Sequence, residues 1–500
     1  MLACVRTAAV FGIDACPVQV EVDVSRGLPM FQMVGLPDAS VRESRDRVRN
    51  AIRNSGFEFP LSRITVNLSP ADVRKAGSSF DLPIAIGVLA AAGHLPQRDL
   101  SRLMVLGELS LDGAIQPARG VLPIAVAARR LRATGLILPQ PNHAEAAVVE
   151  GLPLYPVSSL AEALSALDNP QDFSRQSCVA PTTTATPVTF DGDFSDVHGQ
   201  TMARRALEIA AAGGHNVLLA GPPGAGKTMM ARRVSTILPP LTFDEALEAT
   251  SIHSVAGLLP AGAQLLSERP FRAPHHTISD VALVGGGQYP RPGEISLAHH
   301  GVLFLDEMPE FSRHVLEVLR QPVEEGCVRI ARAARTAVFP ARFMLIGAMN
   351  PCPCGFLGDP HRPCRCTAQQ VARYASRLSG PLRDRIDLTV PVAAVAPREL
   401  VDAQPGEPSS AIRCRVIAAR DRQLARDGRL NARLHGRALR SRVVLEPAAR
   451  ALLSKALERL SLSARGHDRV LRVARTIADL QGADRIDAPH LAEALHYRGD

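Results

Sequence analysis

A glycine-rich segment, GPPGAGKT at residues 221–228, constrains the fold of this chain more than any other feature. It follows an apolar run at 216–220 and precedes the helix-forming run MMARRV. A strand, a G-x-x-x-x-G-K-[ST] loop and a helix in this order are typical of a phosphate-binding loop, in which backbone N–H groups and a helix N-terminus surround an anion. The residues predicted to contact the phosphates of a nucleotide are Gly221, Pro222, Pro223, Gly224, Ala225, Gly226, Lys227 and Thr228.

The segment GVLFLDE supplies the acidic strand end that nucleotide hydrolysis requires. A strand over Val302–Leu305 would place Asp306 beside a Mg²⁺ ion that Thr228 also holds. Glu307 could then polarise the attacking water. An ordinary acidic turn after a buried strand is the structural alternative. The next predicted strand, RFMLIGAMN, ends in Asn350, which could orient water against the γ-phosphate or simply begin a turn before proline.

Length and composition set outer limits on the fold and the partners. Five hundred residues are too many for one core, so two or three domains are expected. The net charge of +8 favours a polyanionic partner such as nucleic acid, although arginine-rich compositions also arise without that role. No apolar run has the length of a membrane helix, and residues 1–24 lack the pattern of a secretory signal. We therefore expect a cytoplasmic protein with no membrane segment.

The chain divides into three regions by pattern. Residues 1–167 alternate strand-like and helical segments and predict an α/β domain, and residues 168–190 have the composition of a linker. Residues 191–395 contain the phosphate loop and predict a second α/β domain. Residues 396–500 begin with a break and then predict a helical lid. The helices predicted there are Ile412–Ala425, Glu446–Arg459, Ala464–Gln481 and Ala488–Leu495.

Four of the nine cysteines fall within residues 352–366, as CPC and CRC. Four thiolates can bind Zn²⁺ tetrahedrally, and the glycines between the two pairs suit a compact turn. Four reduced cysteines in a surface loop are the alternative, and His361 is an alternative ligand. The residues predicted to hold a structural zinc are Cys352, Cys354, Cys364 and Cys366.

A basic segment, EEGCVRIARAARTAVFPARF, lies between the acidic strand end and Asn350. Its pattern predicts a strand hairpin. In a ring of subunits such hairpins could line a pore and contact DNA phosphates. A solvated basic hairpin is the structural alternative. The arginines predicted to contact DNA are Arg329, Arg332, Arg335 and Arg342.

Several longer motifs carry a resemblance to a known family. The order GPPGAGKT, LFLDEMPEF, AMNPCPCG, LSGPLRDRIDL and SARGHDRVLRVARTIADL resembles AAA+ ATPases of the magnesium-chelatase-like group. The stretches MVGLPDASVRESRDRVRNAI, KAGSSFDLPIAIGVLA and FRAPHHTISDVALVGGG are similar to the narrower ComM/YifB family, and the resemblance covers nearly the whole chain. It implies the use of ATP and Mg²⁺, a hexameric ring, and an ATP-dependent helicase that promotes branch migration during integration of transforming DNA.

The resemblance also implies roles for polar residues around the nucleotide. Asn350 matches sensor 1, Arg385 matches the arginine finger that reaches the ATP of a neighbouring subunit, and Arg465 matches sensor 2 of the lid. An arginine near the transferred phosphate stabilises the charge of the transition state. The rival candidates are Arg383, Arg469, Arg472 and Arg475.

The first domain is similar to the Lon-protease fold. KAGSSFD places Ser79 at the nucleophile, and the segment after GELSLDGAI places Leu122 at the position of the catalytic lysine. Leucine cannot act as the base that a serine nucleophile needs. Lys75 precedes the serine and matches a different family position. We therefore expect an inactive scaffold.

Three classes of function compete. A DNA translocase or helicase is favoured by the charge, the basic hairpin and the family resemblance. A metal-chelatase motor is supported by kinship in the ATPase core, but the chain has no D-x-S-x-S metal-adhesion motif. A protein remodeller or protease is supported by the Lon-like domain and weakened by Leu122.

Overall fold

A computed structural model describes most of the chain. The described residues are 1–73, 75, 77–95, 100–169, 192–260, 262–287, 290–331, 336–359, 362–394, 406–460 and 463–498. The predicted linker and the break that begins the third region therefore lie almost entirely outside the described residues. Within the described ranges, no helix combines the length and the apolar content that crossing a bilayer requires.

The first region folds around a seven-stranded mixed sheet. The strands of the whole region are β1 Leu2–Phe11, β2 Asp14–Ser25, β3 Met30–Val34, β4 Arg63–Ser69, β5 Leu103–Val105, β6 Glu108–Leu109, β7 Ile115–Gln116, β8 Gly135–Pro139 and β9 Leu154–Val157. Its helices are α1 Ala39–Asn54, α2 Asp81–Ala91, α3 Val121–Arg130, α4 His143–Ala146 and α5 Leu160–Asp168. The order in the sheet is β3–β4–β2–β1–β5–β8–β9. Strands β1 and β2 form an antiparallel hairpin that turns at Gly12, whose φ of 67° favours glycine.

The central region is built on a five-stranded sheet. Its strands are β10 Val217–Ala220, β11 Phe271–Arg272, β14 Val302–Leu305, β17 Met344–Met349 and β18 Leu388–Pro391, with the small pairs β12 Gly285–Gly286 and β13 Arg291–Pro292, and β15 Cys327–Ala331 and β16 Thr336–Pro340. The sheet order is β11–β14–β17–β10–β18, and every pairing is parallel. Because β17 lies between β10 and β14, the residues that follow these three strands meet at one edge.

Helices cover the central sheet and form the rest of the chain. They are α6 Thr201–Gly213, α7 Lys227–Ile237, α8 Phe243–Ala256, α9 Asp280–Val284, α10 Glu294–Leu297, α11 Arg313–Val318, α12 Arg320–Glu325, α13 Ala368–Ala375, α14 Gly380–Arg383, α15 Ser409–Asp427, α16 Gly436–Arg442, α17 Pro447–Arg459, α18 Ala464–Gln481 and α19 Ala488–His496. One apolar core joins α6 and α7 to α15 and α18. The predicted α/β chain with a helical C-terminal region is confirmed, and the structure adds that the central sheet is parallel.

The first region packs directly on the central one. Phe11 and Ile13, which flank the β1–β2 turn, pack against the apolar cluster that includes the β15–β16 hairpin. A Cβ on Gly12 would lie 2.9 Å from the carbonyl oxygen of Val338 in β16, so the turn and this strand are in close contact. A second contact joins the buried Glu145 to α8, where the Ser254 hydroxyl donates to the Glu145 carboxylate at 2.7 Å.

Candidate functional site

The glycine-rich loop connects β10 to α7, as predicted. A Cβ on Gly221 would collide with the carbonyl oxygen of Val392, so the loop can pass β18 only if this residue is glycine. Gly224 and Gly226 have φ values of 80° and 82°, in the left-handed region. The loop therefore opens towards the N-terminus of α7, where backbone N–H groups are available for an anion.

Lys227 begins α7 and folds back over the loop. Its Nζ donates to the carbonyl oxygens of Gly221 at 2.6 Å and Pro222 at 2.8 Å, and to Asn350 Oδ1 at 3.2 Å. The side chain is buried, and this burial lowers the pKa of Lys227, while the nearby carboxylate of Asp306 opposes that shift. The ammonium group is thus held at the edge of the sheet between two predicted site residues.

The acidic residues follow β14, whose four residues are all buried. The Thr228 hydroxyl donates to Asp306 Oδ2 at 2.7 Å, and the backbone N–H of Glu307 donates to Asp306 Oδ1 at 2.9 Å. Glu307 has a φ of 48°, a left-handed conformation that is uncommon for glutamate. Its side chain is 53% exposed and so is open to solvent, and His276 Nδ1 lies 3.7 Å from its carboxylate.

Two residues near this centre were missed by the sequence analysis. His276 follows β11 in the HH pair of FRAPHHTISD and faces Glu307. The Tyr374 hydroxyl lies at the backbone N–H of Asn350, and burial raises the pKa of Tyr374 to about 12. The paired histidines were a visible signal, since they lie within a stretch that resembles the family. Tyr374 gave no local signal, because it comes from a helix that follows the cysteine segment.

The four clustered cysteines bring their sulfur atoms together. All four sulfurs lie within 4.8 Å of one another, and the two pairs meet across the turn: Cys352 Sγ is 3.4 Å from Cys354 Sγ and 3.7 Å from Cys364 Sγ. Tetrahedral Zn–S bonds of about 2.3 Å separate the sulfurs by about 3.8 Å, so the donor set fits this metal. Backbone N–H groups of Phe356 and Arg365 lower the pKa of Cys354 to about 6, whereas desolvation and the neighbouring cysteines raise the pKa of Cys364 and Cys366. The donor type and the spacing of the sulfurs are therefore the observations that fit a metal.

The cysteine segment also contacts the phosphate loop. Gly355 and Gly358 have φ values of 84° and 80°, which supports the predicted compact turn. A Cβ on Gly355 would lie 2.7 Å from Pro223 Cδ and 3.9 Å from Asn350 Cγ, whereas a Cβ on Gly358 would meet open space. Residue 361, the alternative ligand, lies outside the described residues.

The predicted arginines lie at a second location. Arg385 donates to the Pro381 carbonyl oxygen at 2.6 Å and forms an ion pair with Glu324. Arg385 lowers the pKa of Glu324, and the charge of Arg465, which is exposed in the first turn of α18, adds to that effect. Arg385 therefore contacts Glu324 directly, whereas Arg465 influences this carboxylate through its charge, and among the described contacts of one chain neither arginine is paired with Lys227.

The rival arginines have structural partners. Arg469 donates to the carbonyl oxygen of Ile386 at 2.6 Å, and Arg472 donates to that of Ala432 at 2.9 Å. Arg475 is buried and pairs with Asp479 on its own helix. Arg383 is exposed at the end of α14. These contacts account for Arg469, Arg472 and Arg475 without a nucleotide.

The basic segment forms the predicted hairpin, β15 and β16. Arg329 is exposed on β15 and forms an ion pair with Glu325 at 2.7 Å. Arg332 and Arg335 lie outside the described residues. The prediction that Arg342 is part of the hairpin is wrong: β16 ends at Pro340, and Arg342 lies beyond it, in the segment that leads into β17. Pro340 is the last paired residue of this strand, and it has no N–H group to donate to a ladder.

The region around Ser79 is organised by buried charges. Asp81 is fully buried and accepts from Arg47 Nε at 2.6 Å and from the Ser44 hydroxyl. Lys75 is also fully buried, and its ammonium donates to the Pro70 carbonyl oxygen. Leu122 is buried inside α3. No local pattern predicted the ion pair between Arg47 and Asp81, because the two residues lie on different helices.

Comparisons with known proteins match all three regions of the chain. The family model described as magnesium chelatase, subunit ChlI, matches residues 193–400, that of subunit ChlI of Mg-chelatase matches 20–142, and that of the ChlI C-terminal part matches 406–498. The protein YifB of Salmonella typhimurium is 46% identical over 99% of this chain and 97% of its own length. Competence protein ComM of Haemophilus influenzae is 44% identical over the same shares. The magnesium-chelatase 38 kDa subunit of Rhodobacter capsulatus is 27% identical over 60% of this chain and 84% of its length.

Proposed function

We propose that this chain, which belongs to the ComM/YifB family of magnesium-chelatase-like AAA+ proteins, is an ATP-driven motor that acts on DNA. The proposal of ATPase activity rests on two hydrogen bonds at the carboxyl edge of the parallel sheet. One joins Lys227 to Asn350, and the other joins Thr228 to Asp306. Residues 193–400, which contain all four, match the magnesium chelatase family model.

Each residue at this edge has a distinct task in the proposal. Lys227 exchanges its carbonyl partners for phosphate oxygens when ATP enters the loop. Thr228 and Asp306 present oxygen atoms side by side, which is the donor type that Mg²⁺ prefers. Mg²⁺ supplies positive charge that neutralises the phosphates in the transition state. Asn350 orients the γ-phosphate or the water beside Lys227.

Glu307 is the group that we propose to polarise the attacking water. Its carboxylate is open to solvent, next to the oxygens that would hold Mg²⁺. His276 Nδ1 lies 3.7 Å from the Glu307 carboxylate, so His276 is a positioning residue in this proposal.

The site is completed by a neighbouring subunit in this proposal. Among the described ion pairs, Arg385 has the exposed Glu324 as its partner, and Arg465 lies on the same side. A head-to-tail contact would let Arg385 exchange Glu324 for the ATP of the next subunit, with the charge of Arg465 nearby. We propose a ring, a hexamer by the family resemblance, with residues 191–395 as its motor and 396–500 as its lid.

DNA is the proposed substrate of the motor. Support comes from the net charge of +8, from the exposed Arg329 on the hairpin, and from a relative whose name refers to competence. The finer activity is an ATP-dependent helicase that promotes branch migration. The first region supports the motor as an inactive, Lon-like scaffold, since Leu122 offers no base to Ser79. A cytoplasmic location fits all of these tasks.

A structural zinc ion at the four cysteines is part of the proposal. The spacing of the sulfurs supports it. Purified protein should contain about one zinc per chain. The Cys364→Ser, Cys366→Ser double variant should lose that metal, and an unchanged metal content would exclude the zinc site.

The test of the function is the dependence of ATP turnover on DNA. Forked or branched DNA should raise turnover, DNA binding should fall steeply with salt, and branch migration should be lost in Lys227→Ala. A chelatase-type motor is the second candidate, favoured by the relative from Rhodobacter capsulatus. Turnover that is the same with and without every DNA structure would favour that candidate. Cleavage of casein that Ser79→Ala abolishes would favour a protease instead.

A further inference from the structure

A cleft of about 320 Å³ lies between the central sheet and the helical region. Gly301, which precedes β14, and Met344, which begins β17, line it. Asp306 and Asn350 follow the same two strands at their other ends. The cleft is therefore separated from the proposed ATP site by the full length of the strands.

Charged side chains from both regions face this cleft. The arginines are Arg269 and Arg342 from the central region, and Arg420, Arg429 and Arg433 from the helical region. The carboxylates are Asp244, Glu245 and Glu248. Five arginines against three carboxylates leave an excess of positive charge.

Two of the carboxylates already have partners. Glu245 forms an ion pair with Arg269 at 2.7 Å. Glu248 accepts from His299 Nε2 at 3.0 Å and lies 2.8 Å from His300 Nε2. The Nδ1 atom of His299 accepts the backbone N–H of Arg342, so its Nε2 atom carries the hydrogen. This tautomer makes the imidazole a donor to Glu248 and not a ligand for a metal.

Three of the arginines that line the cleft have no carboxylate partner among the described salt bridges. Among the salt bridges of the described residues, no carboxylate pairs with Arg342, Arg420 or Arg433. The protein atoms around the Arg433 guanidinium partly desolvate it and lower its pKa, although much of the residue is exposed, and the charge of Arg342 lowers that pKa further. Burial and the charge of Arg269 do the same for Arg420. These cations face one another across the cleft, and a bound anion would relieve their repulsion.

We propose that this cleft binds a phosphate group between the central and helical regions. Guanidinium groups donate in a planar fork that matches two phosphate oxygens, and both regions supply such forks here. Arg342 and Arg433 are exposed, so a ligand can reach them from solvent. The phosphate is either part of a DNA backbone or a free polyphosphate, and a bound phosphate would hold the two regions together.

The test measures binding of two probes to the full chain by calorimetry. One probe is sodium pyrophosphate, in a Lys227→Ala background that weakens the phosphate loop. The other is a single-stranded oligonucleotide without terminal phosphates. The double variant Arg342→Gln, Arg433→Gln should weaken at least one probe by about tenfold or more, because each lost charged hydrogen bond is worth about one decade of affinity.

The two probes distinguish the source of the phosphate. If the double variant loses affinity for pyrophosphate alone, the ligand of the cleft is a free polyphosphate. If it loses affinity for the oligonucleotide, the ligand is DNA. Arg459→Gln, on the exposed end of α17, is the matched control and should bind as wild type. If the double variant is folded by circular dichroism and binds both probes as tightly as wild type, the proposal is overturned. Direct binding is independent of ATP turnover, so this outcome would leave the proposed motor intact.

Discussion

Two of the three lysines in the chain are buried, and their surroundings differ. Both ammonium groups donate to backbone carbonyl oxygens, and burial lowers the pKa of both. Lys227 begins a helix beside two carboxylates, those of Asp306 and Glu307. Lys75 lies in the segment that connects β4 to α2, and Asp72 is the acidic group that favours its charge.

Burial and carbonyl partners therefore do not by themselves identify a lysine that binds a nucleotide. The Lys227 ammonium group donates to two carbonyl oxygens and that of Lys75 donates to one, so the two lysines are alike in this respect. What distinguishes Lys227 is an adjacent loop of glycines and an acidic strand end that can hold a metal. Lys75 has neither of these neighbours, so its buried charge is assigned a structural role.

Lys227→Ala gives the largest expected difference between the two lysines. Turnover of ATP should fall by at least about a hundredfold, because a preorganised donor to the transferred phosphate is lost. Lys75→Ala should retain turnover within about threefold, since it lies in the first region. Steady-state phosphate release measures both. Equal losses of ATP turnover in the two variants would contradict the difference in role between the two lysines.

Glu307→Gln tests the acidic side of the same site. Hydrolysis should fall by about a hundredfold or more, while ATP binding is retained, because the amide cannot polarise water as a carboxylate does. Glu310→Gln is the matched control, since Glu310 pairs with Arg377 a short distance along the chain. Hydrolysis at the wild-type rate in Glu307→Gln would assign the water to another group.

Gly355→Ala and Gly358→Ala ask whether the cysteine segment supports the Lys227 site. Both glycines have a positive φ, so both variants strain the turn by about 1 kcal/mol. The added methyl group meets Pro223 of the phosphate loop only at Gly355. We expect ATP turnover to fall several times more in Gly355→Ala than in Gly358→Ala. Equal turnover would show that the segment and the loop are independent.

Lys75→Met gives the smallest effect, on stability and its pH dependence. Burial lowers the pKa of Lys75 below its usual 10.5, so the unfolded chain binds more protons between the folded pKa and 10.5. The free energy of unfolding of the wild type should therefore rise with pH through that window, by about 1.4 kcal/mol for each tenfold loss of proton affinity on folding. Urea unfolding at pH 7 and 10 should show this rise reduced in Lys75→Met but not in Lys455→Met, which changes an exposed lysine.

Local patterns predicted the elements whose bounds are set by a local signal in the sequence. The strand Val302–Leu305 and the helix Ala464–Gln481 have their predicted bounds, because an apolar period ends at a clear signal such as Gly482. The sequence did not predict that Arg342 lies outside the hairpin, because its pattern did not show where the second strand ends. His276 and Tyr374 join the site through the fold. The partners of Arg469 and Arg472 are carbonyl oxygens of other segments and, for Arg472, also the carboxylate of Asp387.

The close contact between Gly12 and Val338 bears on how the protein can be divided for experiments. A truncated chain that starts after residue 191 would expose the apolar surface that Phe11 and Ile13 cover, next to a two-stranded ribbon with little support of its own. Such a fragment should aggregate or lose the shape of the ribbon, even though it retains every residue assigned to ATP. Measurements on the motor region therefore require the first 169 residues to be present, or soluble replacements at the surface that they leave behind.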